Sequence, residues 1–335
     1  MAKIWTRQAV LRALDDAMSD DPTVILLGED VAEAGGPFKV TEGLLAKHGP
    51  ERVIDTPISE MAFMGAAVGA AVCGLKPVVE IMFIEFLGVA LDQLTTQAAT
   101  MRYLSRGRLT TPLVVRASAG AGQGFGCQHS QMLDHWMRGT PGLKLAVTSN
   151  ARTTYGLLRS AIEDPDPVVV LEPRILYSER EEHEFDPSYR VPLGEAEIAR
   201  TGTEATLVTC GAMVRVALEA AANSGASIEV IDLLTLWPWD RKTVLESVAR
   251  TGRLVTLEEA TASAGWGADV ASTVATEAFG KLKAPPHRIT RPDAPIPYSG
   301  VLEARYLPTP AYVTEQVAAL VSTNKAPAPW WRNAA

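Results

Sequence analysis

The first 177 residues alternate short, almost wholly apolar runs with longer stretches whose apolar positions recur every three to four residues. Runs apolar on both faces suit parallel strands, and the longer stretches suit helices packed over them. Thr23–Leu27, Val78–Met82, Pro112–Arg116, Lys144–Val147 and Val168–Leu171 read as strands. Glu60–Gly74, Leu87–Tyr103 and Arg152–Ile162 read as helices, the first rich in Ala and Gly and so able to pack closely on a neighbour. This pattern predicts an α/β fold built on a parallel sheet. The alternation then stops. From Ser178 to Arg200 the chain is polar and charged, with Glu179, Arg180, Glu181, Glu182, His183 and Glu184 in succession, as expected of a linker. It resumes over residues 201–323: Ala205–Cys210, Ser227–Asp232 and Arg253–Leu257 read as strands, and Val214–Asn223, Asp240–Arg250 and Gly267–Phe279 as helices. A smaller α/β domain is expected there. Residues 324–335 form no periodic element and carry Trp330 and Trp331, which predicts a tail either frayed or docked on a partner.

With 335 residues, 47% of them hydrophobic, the chain can bury two cores. A formal charge of −8 disfavours nucleic acid and anionic membrane surfaces as partners, because both would repel it. The segment up to Met18 holds Asp15 and Asp16 within a helical pattern and lacks the apolar core of a secretory signal. The most apolar helix, Met64–Gly74, falls short of the roughly 20 residues that span a bilayer. A cytoplasmic protein is expected. Cys73, Cys127 and Cys210 are far apart, form no CxxC pair, and read as small buried apolar residues.

Several motifs are tested and fail. The glycines of Gly120–Gly126 (GAGQGFG) alternate and do not meet the GxGxxG spacing of a dinucleotide loop. No GxxxxGK[ST], HExxH or GxSxG sequence occurs. His129 and His135 are six apart, on different faces of any helix, and make a poor zinc pair.

Four segments remain together: Gly28–Val31 (GEDV), Thr56–Glu60 (TPISE), Glu80–Phe86 (EIMFIEF) and Gln128–Gln131 (QHSQ). Each lies at the end of a predicted strand or the start of a predicted helix, where open α/β sheets place ligands. In this order and spacing they resemble the β subunits of the 2-oxoacid dehydrogenases and acetoin dehydrogenases, first components of complexes that use thiamine diphosphate. The similarity continues through Pro141–Lys144, Ala161–Pro167, Ile231–Leu233 and Pro295–Tyr298, nearly the whole chain from Trp5 to Val321. It implies a pyrimidine-binding domain over residues 1–177, a linker over 178–200, a transketolase C-terminal-like domain over 201–323 and a tail over 324–335.

Thiamine chemistry requires a carboxylate to hold a proton on one nitrogen of the cofactor's aminopyrimidine ring. The resemblance assigns that contact to Glu60. Taken alone, Glu60 reads as a first-turn glutamate that favours the helix dipole. By the same resemblance Phe86 offers an aromatic face to the pyrimidine, and Met82 and Ile58 line the pocket. The resemblance also implies that His129 acts in the transfer of the acyl group to a lipoyl group. The same resemblance implies a monovalent cation such as K+ at the backbone oxygens of Leu113, Ala161 and Ile162 together with Asp164 and Asp166, although a polar turn between helix and strand explains the same residues.

Thiamine enzymes bind Mg2+ and the cofactor's diphosphate through a GDG motif, and no GDG occurs here. The resemblance therefore implies an α subunit that supplies it, an α2β2 assembly with a second β subunit, and docking to a dihydrolipoyl acyltransferase core. Glu85 and Thr96 stand where relatives commonly have Asn, and Gly139 where many carry a second His, with His135 one turn earlier. A self-contained transketolase-like enzyme is opposed by the missing diphosphate motif. A non-catalytic scaffold subunit is the alternative that Glu85 and Gly139 favour.

Overall fold

A computed structural model describes residues 3–182 and 184–332. His183 of the expected linker and the last three residues of the expected tail lie outside them. The chain forms two compact units, one comprising Met1–Ala119, Trp136–Leu193 and Leu236–Pro238, the other Gly120–His135, Gly194–Thr235 and Trp239–Ala335. Among the described residues no helix is long and apolar enough to cross a membrane.

The first unit opens with β1 (Lys3–Trp5), α1 (Thr6–Asp20), β2 (Val24–Gly28), α2 (Leu44–His48), β3 (Val53–Asp55), α3 (Glu60–Val72) and β4 (Lys76–Ile81). Then come α4 (Leu87–Asp92), α5 (Met101–Leu104), β5 (Val114–Ala119), α6 (His135–Arg138), β6 (Lys144–Val147), α7 (Ala151–Glu163), β7 (Val168–Pro173) and β8 (Arg180–Glu182). In the second unit follow β9 (Glu197–Arg200), β10 (Ala205–Thr209), α8 (Met213–Asn223) and β11 (Ile228–Asp232), with β12 (Thr235–Trp237) returning to the first sheet. The chain ends through α9 (Arg241–Thr251), β13 (Leu254–Thr261), α10 (Gly267–Glu277), β14 (His287–Arg291), α11 (Gly300–Tyr306) and α12 (Pro310–Thr323).

Seven strands in the order β12-β6-β7-β5-β4-β2-β3 form the first sheet, and β3, β2, β4, β5, β7 and β6 are mutually parallel. Every residue of β2, β5 and β7 is buried, which is why their sequences read as continuous apolar runs. On one side α1 and α7 pack together, Ala9, Val10, Ala13, Leu14 and Ala17 meeting Tyr155, Leu158, Ala161 and Ile162 in one core. Parallel strands all present their C-terminal ends at one edge. Gly28, Asp55 and Glu80 are register partners near that edge.

Three of the central strands carry charge into the interior. Arg116 on β5 donates to Glu172 on β7 through Nε at 2.9 Å and Nη2 at 2.6 Å, and through Nη1 to Glu80 on β4. Tyr177 closes the group by donating to Glu172 at 2.5 Å. All four side chains are buried. Burial pushes the Glu80 carboxyl up against the opposing pull of Arg116, and the Tyr177 phenol is pushed well up by burial and by Glu172. Burial works against the Arg116 charge, but Glu172 and Glu80 outweigh it.

The second sheet has the order β14-β13-β10-β11-β9, parallel except for β9, which runs antiparallel to β11. Four expectations change. The single helix expected over Leu87–Tyr103 is α4, a π-helical turn over Gln93–Ala98, and α5; Thr95 and Thr100 hydroxyls bond back to Leu91 and Thr96 carbonyls there, competing with the regular ladder. The expected linker is not featureless, since Arg180–Glu182 pairs antiparallel with β1 and Glu197–Arg200 with β11. The expected tail folds back within its own unit: Trp330 donates its N–H to Tyr312 of α12 at 3.3 Å, and both tryptophans line a cleft of about 830 Å³ with Pro295, Tyr306 and Leu307. Of the cysteines, only Cys210 is buried; Cys73 is exposed.

Removing Arg116 leaves two carboxylates in the interior without their cation. Arg116→Ala is expected to lower stability by about 3–5 kcal/mol, read by urea denaturation. A loss below 1 kcal/mol would show that the buried cluster does not depend on its cation.

Candidate active site

The buried face of α3 comprises Glu60, Phe63, Met64, Ala67, Val68 and Ala71. That spacing is a regular helical stripe, and its first member is a carboxylate. Glu60 is thus drawn inward by the same helical phase that buries Met64 and Ala67, and is 9% exposed. Of its apolar neighbours Phe63 is buried, but Ile58, expected to line the pocket, is 85% and Met61 53% exposed.

Glu29 follows β2 at the same edge of the sheet. Asp55, at the end of β3, holds the turn beyond it by accepting N–H bonds from Ala32 at 2.7 Å and Glu33 at 3.1 Å. Asp30 takes a positive φ of 58°, a conformation that Asp tolerates better than most residues. Burial, followed by the Glu60 and Asp30 charges, raises the Glu29 carboxyl above its ordinary value. Its Oε1 and the Thr56 Oγ1 are buried without a hydrogen-bond partner in the chain. A pair of acids with two unsatisfied oxygens beside them can share or pass a proton with a polar ligand.

Met82 and Phe86, both half-buried, follow β4. The Ser118 hydroxyl donates to the Met82 carbonyl at 2.5 Å and fixes the backbone there. Phe86 ends a 3-10 turn, Ile84–Phe86, and packs edge-on against Phe83 at 5.7 Å; Phe83 meets Phe38 at 5.8 Å and lies under the Arg174 guanidinium at 5.2 Å. Glu85 sits half-buried in the same turn. Of the predicted unit-one residues, Ile58, Glu60, Met82 and Phe86 are thus all carried by segments that follow strands of one parallel array. Glu29 and Asp55 were missed, although for Glu29 the GEDV segment at a strand end was the available signal.

At the expected cation position the carboxylates are engaged by cations of the chain itself. Lys144 Nζ binds both oxygens of Asp164, at 2.8 and 2.6 Å, and Arg102 Nε binds Asp166 at 2.5 Å. The Leu113 carbonyl accepts the Val168 N–H at 2.9 Å and the Ala161 carbonyl the Asp164 N–H at 3.3 Å. These carbonyls keep one lone pair each, but the two side chains offer no free charge. Among the described residues no group of three or more acidic, His or Cys side chains forms a metal cluster.

His129 belongs to the second unit, half-buried in the loop that begins at Gly120. Its N–H points to the Gly126 carbonyl at 3.4 Å. His135 opens α6. Position 139 faces open space, with nothing within 4 Å of where a Cβ would stand, so packing does not dictate the glycine found there.

Residues 2–180 match the transketolase pyrimidine-binding domain, and residues 194–313 match the transketolase C-terminal domain. The acetoin:2,6-dichlorophenolindophenol oxidoreductase β subunit of Cupriavidus necator is 45% identical over 324 residues, covering 93% of this chain and 95% of that one. The chain belongs to the pyruvate and acetoin dehydrogenase β-subunit family. A mitochondrial pyruvate dehydrogenase E1 β-1 subunit of Arabidopsis thaliana is 46% identical over 312 residues, 91% of this β-type chain and 86% of the relative. A solved split-gene transketolase, described as an inactive β4 tetramer, superposes with a TM-score of 0.75 at 26% identity, covering 95% of this chain and 99% of that one.

The Glu29 environment gives this β-family chain a testable pH dependence. A folded pKa above the unfolded value means that the group's stabilising contribution is present below about pH 4.3 and is lost as pH rises through the elevated value. Glu29→Gln is therefore expected to be more stable than the parent at pH 8 and to lose that advantage by pH 4, followed by thermal melting across the range. A stability difference independent of pH would contradict it.

Proposed function

We propose that this chain is the β half of a thiamine-diphosphate-dependent dehydrogenase that decarboxylates a 2-oxoacid, or cleaves acetoin, and passes the acyl group to lipoamide. The observation that carries this reading is Glu60. A carboxylate withdrawn from water at the head of a buried helical stripe, at the ligand edge of a parallel sheet, with Ile58 and Met61 left exposed beside it, is half of a pocket. Its own chain leaves Glu29 Oε1 and Thr56 Oγ1 without partners, which fits a polar heterocycle bound among them.

Thiamine diphosphate, when bound, supplies a carbanion able to attack the substrate's carbonyl. Glu60 holds the proton at the ring nitrogen of the pyrimidine, and a nearby acid, Glu29, raises the energetic cost of leaving both carboxylates charged. Phe86 and Met82, which follow β4, and Ile58 would line the pyrimidine's pocket. His129 would supply the proton taken up by the lipoyl sulfur released when the other sulfur accepts the acyl group and the disulfide opens. The diphosphate and its Mg2+ are gripped by an α subunit that carries the GDG motif absent here, within an α2β2 assembly that docks on an acyltransferase core and works in the cytoplasm. For K+, only the carbonyls of Leu113, Ala161 and Ile162 fit, since Lys144 and Arg102 already neutralise Asp164 and Asp166.

The test is Glu60→Gln in the chain reconstituted with its α partner. Gln keeps the shape but cannot exchange the proton, so turnover is expected to fall by about 100-fold or more, with assembly unchanged by gel filtration. Turnover within twofold of the parent would defeat the catalytic role and favour the scaffold alternative.

A further inference from the structure

The loop that carries His129 has the form of an anion nest, yet the anions in it come from the chain itself. Gly120, Gly122, Gly124 and Gly126 all take positive φ, at 89°, 101°, 74° and 71°, which accounts for their alternation. This backbone turns successive N–H groups to one side. The N–H groups of Gly122 and Gly124 each donate to one oxygen of Glu303, both at 2.8 Å, and the Ala121 N–H donates to Glu259 Oε1 at 2.6 Å. Glu303, on α11, is 3% exposed, and Glu259, on β13, is also buried. Gly120 N–H to the Gln131 carbonyl at 3.0 Å and Gln131 Nε2 to the Cys127 carbonyl at 2.9 Å tie the loop's two ends. Ala121 packs with Ile296 and Tyr306 in a small apolar cluster, but Gly122, Gln123, Gly124 and Phe125 beyond it are exposed, so over that stretch the loop is held by the two Glu303 bonds rather than by apolar packing.

We infer that Glu303, with Glu259 as second anchor, is a positioning residue for His129, holding the loop so that the imidazole is presented for acyl transfer; this rests on the function proposed above. Charge-assisted N–H···O bonds are about twice as strong as neutral ones. A carboxylate can accept both N–H groups at once, whereas an amide cannot. In Glu303→Gln the NH2 of the new side chain faces a loop N–H, donor against donor. Gly122→Ala disturbs the same loop by another route, since φ of 101° is strained for any side chain.

The experiment uses the full chain, free and reconstituted with its α partner. In Glu303→Gln the amides of residues 121, 122 and 124 are expected to exchange with solvent about tenfold faster or more, while those of β10 and β13 stay as in the parent. Lipoamide-dependent turnover is expected to fall about tenfold, with KM for the oxoacid within twofold and oxidation coupled to a dye acceptor reduced less than the lipoamide reaction. In a His129→Ala background the same substitution adds no further loss, because the two act as one unit. Gly122→Ala reproduces the pattern. Unchanged loop exchange, or losses that simply add to those of His129→Ala, would overturn the inference. Should the parent complex itself show no turnover, the functional reading fails and the positioning role fails with it, while the exchange measurement still decides whether Glu303 orders the loop.

Discussion

Burying a polar group that the chain cannot satisfy costs about 1–3 kcal/mol, and more for a charge. The edge of the first sheet where Glu60 is buried carries that cost twice, at Glu29 Oε1 and at Thr56 Oγ1. None of these groups is placed by accident of a loose loop. Glu60 is held by the phase of α3, Glu29 by the turn that Asp55 pins, and Thr56 by its own N–H to the Gly28 carbonyl at 2.9 Å. A fold that over-determines unsatisfied oxygens in this way is arranged for something outside the chain, and the exposed Ile58 and Met61 beside them need covering for the same reason.

What makes the edge rigid lies one layer deeper. Glu80, Arg116 and Glu172 cross-link three neighbouring parallel strands from within the core, and Tyr177 completes the set. Such a network adds little stability over apolar packing, but it fixes which strand residues face one another. Because Met82 follows the strand that holds Glu80, and Ser118 follows Arg116 on the next, the Ser118 to Met82 bond inherits that register. The Phe38, Phe83 and Phe86 rings meet edge-on outward from there, with Phe83 beneath Arg174. Core charge, strand register and the aromatic wall are consecutive links of one chain of contacts.

Most of this was legible wherever burial is complete, since a wholly buried strand such as Val168–Pro173 has no choice but to read as an apolar run. Legibility failed where local bonding competes with pattern. The stretch Leu87–Tyr103 keeps helical spacing of its apolar residues, yet threonine hydroxyls loosen it into a π turn. The three-residue strands β1 and β8 are too short for a periodic signal, and β8 (Arg180–Glu182) has no apolar residue; each is stabilised by pairing with a partner about 175 residues away along the chain, a long-range contact that no local window contains. At the site, Glu60 was visible because its spacing and its flanking Pro57 set it at a helix start, whereas Glu29 became conspicuous only when its neighbours in space were known. Glu303 had no local signal at all: its partners lie near residue 122, and only the fold brings them together.

The alternating glycines tempt a reading as a phosphate cradle, and the geometry argues against it on grounds separate from spacing. A nest binds an anion with N–H groups that are otherwise unpartnered. Here the N–H groups of Ala121, Gly122 and Gly124 already donate to Glu259 and Glu303, so a phosphate would have to displace two buried carboxylates and then lie beside their charges. That is strongly unfavourable unless both acids are protonated. The absence of a GDG sequence and the occupation of the one glycine-rich loop at a strand end thus point the same way by unrelated routes. Both argue against a phosphate site in this loop, which is consistent with the proposal that the cofactor's phosphates are held by another polypeptide.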